Sequence, residues 1–267
     1  MTFSKKAVLL IYLLLISTAL LAQKIVKSDT VKISGQTIFL HIPTKEEIKK
    51  EIRNVETSMK RDLRDYVADM QNQQFISDNV ITDVSLEVIG DDVLDLKVIY
   101  EYSLKNDTMK FQTDDFPLGE YRVEQSNAAL VTFSIIKKTM NGQLAKYTNA
   151  GQKISFTIQG NADAVALRGV IEYNGEFGPE INEECEVTGS TIRYKINEQT
   201  DIQSNYQLAF IRAYSVKNYI LKNIEKFWIT QNKFFYKALV SDFKGGKYRR
   251  VSIEIVIHDA FGSIIPK

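Results

Sequence analysis

An α+β fold is the class this sequence predicts, and three observations carry the prediction. Apolar residues alternate with polar ones along Val84–Tyr102 and again along Val251–Ile257, the period of half-buried strands. Three other segments place apolar residues three and four positions apart, the period of a helix packed on one face. The second half alone reads helix, strand, insertion, helix, strand, an order shared by α+β and α/β proteins.

Taken in chain order, residues 1–22 read as a secretory signal. Lys5 and Lys6 precede the apolar run Ala7–Leu21, and Ala19 and Ala22 are small residues at the exit, before Gln23. The run falls short of the roughly 20 apolar residues a bilayer span needs. Cleavage is the reading it favours, with an uncleaved tilted anchor as the alternative. Either way the chain is exported to the periplasm or cell envelope, and it touches a membrane only through this segment if it is uncleaved.

After a short strand-like stretch (Val31–Leu40), residues 23–104 continue with a helix and a hairpin. Thr44 and Glu47 have the spacing of a capping box. Ile48, Ile52, Val55, Met59, Leu63 and Val67 then form one apolar stripe, with Glu46–Lys50 and Glu56–Lys60 as favourable pairs. The stripe fits a helix packed on its own domain; at barely three heptads, a dimerising coiled coil is the lesser reading. Val84, Leu86 and Val88, a turn at Gly90-Asp91-Asp92, then Leu94, Leu96, Val98, Tyr100 and Tyr102 make the hairpin.

The loop Lys105–Gly119 is the expected domain boundary, giving a second region over 105–267. There Ser126 caps a helix carrying Ala129, Leu130, Phe133, Ile136, Met140 and Leu144. A strand spans Ile154–Ile158, an acidic insertion covers about 164–204, a helix runs from about Tyr206 to Lys226, and Val251–Ile257 is the last strand.

Composition narrows the chemistry. Lys and Arg total 34 against 33 Asp and Glu, a net charge of +1, which argues against a nucleic-acid partner. With His41, His258 and Cys185 as the only imidazole and thiol groups, a zinc-type metal site is not expected, nor any cofactor. No Gly-x-Ser-x-Gly, phosphate-binding Gly-x-x-x-x-Gly-Lys or His-Glu-x-x-His pattern occurs, so no enzymatic activity is expected. Cys185 reads as a small core residue rather than a nucleophile.

Three short segments carry a different message. Gly160-Asn161-Ala162-Asp163 follows a strand; Asn205-x-x-Leu208-x-x-x-Arg212-Ala213 lies on a helix; Arg249-Arg250-Val251 opens the last strand. In that order they resemble the peptidoglycan-binding domain of OmpA-like outer-membrane proteins, peptidoglycan-associated lipoproteins and flagellar stator subunits. The resemblance covers roughly Asp107 to Phe261. It implies a β-α-β-α-β sandwich with an inserted hairpin-like segment, and a non-catalytic envelope protein that tethers the wall through a diaminopimelate-type stem peptide. It also implies roles: Asp163 for the ligand's ammonium, Arg212 for its carboxylate, Asn205 as a helix-start cap holding the loop, with Gly160 and Asn161 in the turn. Leu208 and Val216 would pack the helix on the sheet. An acid and a planar guanidinium suit a residue bearing both charges.

The sequence departs from the family at several points. Asn161 and Ala162 stand where His and Thr are usual, Tyr248 where Asn is, and Asp163 and Asn205 are separated by the insertion instead of a far shorter link. That insertion, carrying Glu172, Glu176, Glu180, Glu183, Glu184 and Glu186, could be a lid, an extra hairpin extending the sheet, or a plug in the pocket. A scaffold that lost its ligand and serves envelope protein partners is the alternative function.

Overall fold

The structure is a computed structural model that describes residues 30–33, 36–39, 43–91, 93–105 and 114–261. The expected signal segment and His41 lie outside the described residues. Strands β1 (Thr30–Ile33) and β2 (Gln36–Phe39) form an antiparallel pair, so the single strand-like stretch expected there is two strands.

Helix α1 (Lys45–Asn72) starts as its sequence dictates. The Thr44 hydroxyl accepts from the Glu47 amide and the Glu47 carboxylate accepts from the Thr44 amide, satisfying two of the free donors at a helix start. Ile48, Ile52, Met59, Leu63 and Val67 are buried against β3 (Val80–Ile89), while Val55 is half-buried. The stripe therefore faces this protein's own sheet.

β3 and β4 (Asp95–Leu104) form the expected hairpin, paired from Val80↔Leu104 to Ile89↔Asp95. Helix α2 (Asn127–Asn141), capped by Ser126, lies against β4, where the Tyr100 and Thr139 hydroxyls meet at 2.6 Å. Then come β5 (Lys153–Ala162), β6 (Glu180–Val187), β7 (Ser190–Asn197), α3 (Asn205–Asn223), β8 (Gln231–Val240) and β9 (Val251–Ile257). One seven-stranded mixed sheet results, in the order β3-β4-β9-β5-β8-β6-β7, with β5–β8 and β6–β8 parallel.

The strand β9 is the seam. Its Val251, Ile253, Ile255 and Ile257 are buried, and it pairs with β4 on one side and β5 on the other. Because β4 comes from the first region and β9 from the second, residues on either side of the expected boundary share one sheet. The helices cover one face, and the alternate residues, among them Ser155, Thr157, Phe235 and Leu239, form the other. On that open face Ser155 Oγ meets His258 Nε2 at 2.7 Å and His258 Nδ1 meets Asp95 Oδ2 at 2.8 Å, a chain joining three adjacent strands.

The structure corrects three elements. β6 and β8 were not expected, and the third helix ends at Asn223 in place of Lys226, followed by a 3-10 turn at Glu225–Trp228. Of the insertion's expected strands, Thr191–Ile196 falls within β7, whereas Val170–Tyr173 contributes only the bridge Ile171↔Ile202. The β6–β7 turn uses Thr188 and Gly189, both at positive φ (49° and 79°), the geometry that suits a two-residue hairpin.

Gly160 sets how close α3 approaches. A Cβ there would lie 1.9 Å from the Ala209 carbonyl oxygen and 3.0 Å from the Ala213 amide nitrogen, both helix backbone. Gly160→Ala is expected to force the helix off β5 and cost about 3 kcal/mol, the upper part of the overpacking range. Urea unfolding checks this, and a variant as stable as the wild type overturns it.

Candidate functional site

The end of β5, the start of α3 and the loop before β9 converge, and the three sequence segments singled out above meet there. Asp163 directly follows β5. Its Oδ2 accepts from the Gly245 amide (3.0 Å) and from Arg249 Nη1 (3.2 Å), while among the described residues Oδ1 accepts only a long bond from the Val165 amide (3.4 Å). Arg249 also donates to the Phe116 carbonyl (2.7 Å) and to Asp115 (2.8 Å). Burial pushes the Asp115 carboxyl up, against the opposing pull of Arg249.

Arg212 is fully buried, at 0% exposure. It makes no ion pair with Asp163. Its Nε donates to the Glu120 carbonyl (2.9 Å), Nη1 to Asn161 (2.7 Å) and Nη2 to Pro117 (3.4 Å), with its Cζ 5.0 Å from the centre of the Phe116 ring. Burial first, then the neighbouring Arg249, lowers its pKa to about 9, which still leaves it charged at neutral pH.

Asn205 holds the loop but not by capping. Ser204, in extended conformation, is the cap, its hydroxyl accepting from the Gln207 amide, and Asn205 occupies the first helical position. There its Nδ2 donates to the carbonyls of Asp163 (3.1 Å) and Val165 (3.0 Å). Asn161 is buried on β5 and donates to the Arg250 carbonyl. Gly160 and Asn161, expected in a turn, lie inside the strand, because β5 runs on to Ala162. Leu208 and Val216 are buried, packing α3 as expected.

Above these groups lies an open cleft of about 430 Å³. Asp163, Asn205, Arg212 and Arg249 border it, and Leu118, Val165, Leu167, Arg168, Ile171 and Leu208 complete the lining. The insertion is thus divided in function. Its first part, from Val165 to Ile171, walls the cleft; β6 and β7 extend the sheet at its far edge. It does not plug the space beside Asp163. Sequence reasoning missed Arg249 as the partner of Asp163 and Arg168 as a cleft residue, although Arg249 stands in the third segment.

A larger groove, about 640 Å³, opens where β6 and β8 part. Its glutamates are paired, Glu184 with Arg193 and Glu186 with Lys237 inside the groove and Glu183 with Lys217 of α3. Cys185 lies there, buried, its thiol pushed up to about 12 by burial and then by Glu186, so it stays a poorly nucleophilic thiol at neutral pH. Among the described residues no cluster of side chains could hold a metal ion, and no helix is long and apolar enough to cross a membrane.

No protein-family model and no curated protein matches this chain.

Proposed function

We propose that the chain is a non-catalytic cell-envelope protein, exported to the periplasm, that tethers peptidoglycan by holding a diaminopimelate-type stem peptide in the cleft beside Asp163. The observation that carries the reading is convergence. Asp163 lies 42 residues before Asn205 and 86 before Arg249, yet these residues and Arg212 of the same helix as Asn205 line one open cleft. These are residues of the three segments that resemble the OmpA-like family. The run β4-α2-β5-α3-β8, with β9 between β4 and β5, supports the β-α-β-α-β arrangement the resemblance implies.

The chemistry fits a zwitterionic residue. Asp163 borders the cleft with 4% of its surface exposed, and its Oδ1, which accepts a single long bond among the described residues, has lone pairs to spare for an ammonium group. The guanidiniums around it favour a carboxylate nearby.

Retention of the full chain on purified sacculi tests the proposal. The wild type should be retained and eluted by free diaminopimelate. Asp163→Asn, which keeps the shape and removes the charge, should bind about 10-fold or more weakly, the worth of one charge-assisted hydrogen bond. A wild type that passes through unretained overturns the function, and equal retention of Asp163→Asn overturns the role of its carboxylate.

A second reading, a module for envelope protein partners, has its own observation. The open sheet face exposes Ile81, Phe235 and Leu239, whereas the stripe of α1 is buried. It gains if sacculi fail to bind and a triple polar substitution at these three positions abolishes a native envelope complex.

A further inference from the structure

Resting on the peptidoglycan reading, we propose that Arg168, supplied by the insertion, makes the direct contact to the carboxylate of the bound stem residue, the part the resemblance gives to Arg212.

Arg212 has no exposed surface, and its Nε and both terminal nitrogens are turned onto the backbone carbonyls of Glu120, Asn161 and Pro117. A ligand could engage it only by displacing the loop that carries Pro117 and Glu120. Arg249 is committed to Phe116, Asp163 and Asp115. The two amide hydrogens of Asn205 go to the carbonyls of Asp163 and Val165. Arg168 differs from all of these. It is exposed, it lines the cleft, and among the described residues no hydrogen bond or ion pair engages it.

Charge points the same way. Three arginines, Arg168, Arg249 and the wholly buried Arg212, border the cleft against the single carboxylate of Asp163. Counting Asp115 behind Arg249 still leaves an excess of one positive charge. That excess favours a carboxylate beside Arg168, the one guanidinium of the three with no partner among the described residues, while the ligand's ammonium goes to Asp163. The guanidinium fork matches a carboxylate in two parallel hydrogen bonds, which an ammonium on a lysine cannot copy. Arg212 then acts as a positioning residue: it fixes the loop that forms the cleft floor and contributes a buried positive charge.

Two soluble muropeptide probes test this by titration calorimetry on the full chain. Both carry a tripeptide stem ending in diaminopimelate; in one the side-chain carboxylate is free, in the other it is amidated. The wild type should prefer the free form by about 10-fold. Arg168→Ala should erase that preference while binding the amidated probe as the wild type does, and Arg168→Lys should keep part of it. Since Arg168 is exposed and unpaired, its variants should unfold at the wild-type temperature. If Arg168→Ala retains the full preference, the role assigned to Arg168 is overturned while the peptidoglycan reading stands. If the wild type binds neither probe, the reading itself falls, and this inference with it.

Discussion

Arg212→Ala is expected to lower the stability of the fold by about 3–5 kcal/mol, the range for disrupting a buried charged group and for a large core truncation. The guanidinium is a hub: one side chain on α3 ties the carbonyls of Pro117 and Glu120, in the loop before α2, to that of Asn161 on β5. Deleting it leaves three carbonyls without that donor, opens a cavity beside Phe116, and frees the loop. For a chain of this size the melting temperature should fall by about 10 °C. Arg212→Lys should lose most of the same stability, because a compact ammonium cannot span three acceptors held in a fixed fork. Urea titration of both variants decides it. An alanine variant within about 1 kcal/mol of the wild type would show that the buried contacts are not what holds the loop. The consequence for function is practical. Loss of wall binding in an Arg212 variant reports the collapse of the cleft floor, so Asp163→Asn and Arg168→Ala are the informative substitutions.

Legibility in the sequence followed the length and regularity of each signal. The stripe from Ile48 to Val67 was readable because 28 helical residues repeat one spacing, and Thr44 with Glu47 marked the start. β9 was readable because Val251, Ile253, Ile255 and Ile257 alternate without a break. β8 was not, since apolar Phe235 and Leu239 sit on the open face between the inward Phe234, Tyr236 and Ala238 and blur the period. β6 was hidden by its glutamates, although Ile181, Cys185 and Val187 alternate inward beneath them.

The site divides along the same line. Local order placed Asp163, Asn205 and Arg212 on the right elements, and the apolar neighbours of Arg212 hinted at a held guanidinium. Its partners could not be read, because the carbonyls of Glu120 and Pro117 lie 92 and 95 residues away and carry no side-chain signature. The same holds for Arg249, whose bond to Asp163 spans 86 residues. Ser204 and Asn205 are both good capping types, and only backbone geometry decides between them.

Alkali should unfold this protein cooperatively, with a midpoint near pH 12, about two units above the ordinary tyrosine pKa. Four tyrosines, Tyr100, Tyr102, Tyr173 and Tyr236, have less than a twentieth of their surface exposed. Burial raises all four phenols, Tyr102 and Tyr173 to about 12 and the other two further. A phenol whose folded pKa lies above its unfolded value keeps its proton in the native state after the unfolded chain has released it. Its contribution is therefore intact below about pH 10 and is lost as pH rises beyond. Arg212 acts in the opposite sense. Its folded pKa is lowered, so from about pH 9 upward it sheds a proton that the unfolded chain retains, and stability gains. These four phenols against Arg212 alone leave a net loss of roughly 4 kcal/mol per pH unit once the unfolded phenols are ionised, and the Cys185 thiol, raised by burial as well, adds to it. That slope exhausts the marginal stability of a typical domain, about 5–15 kcal/mol, within a few units. Tyrosinate absorbance and circular dichroism should report one coincident transition. Tyrosinate appearing near pH 10 with the fold intact would overturn the account. Tyr236→Phe sharpens the test, because its hydroxyl is the one buried side-chain polar atom among the described residues that has no hydrogen-bond partner. Removing it should leave neutral-pH stability equal or about 1 kcal/mol higher and shift the alkaline midpoint upward.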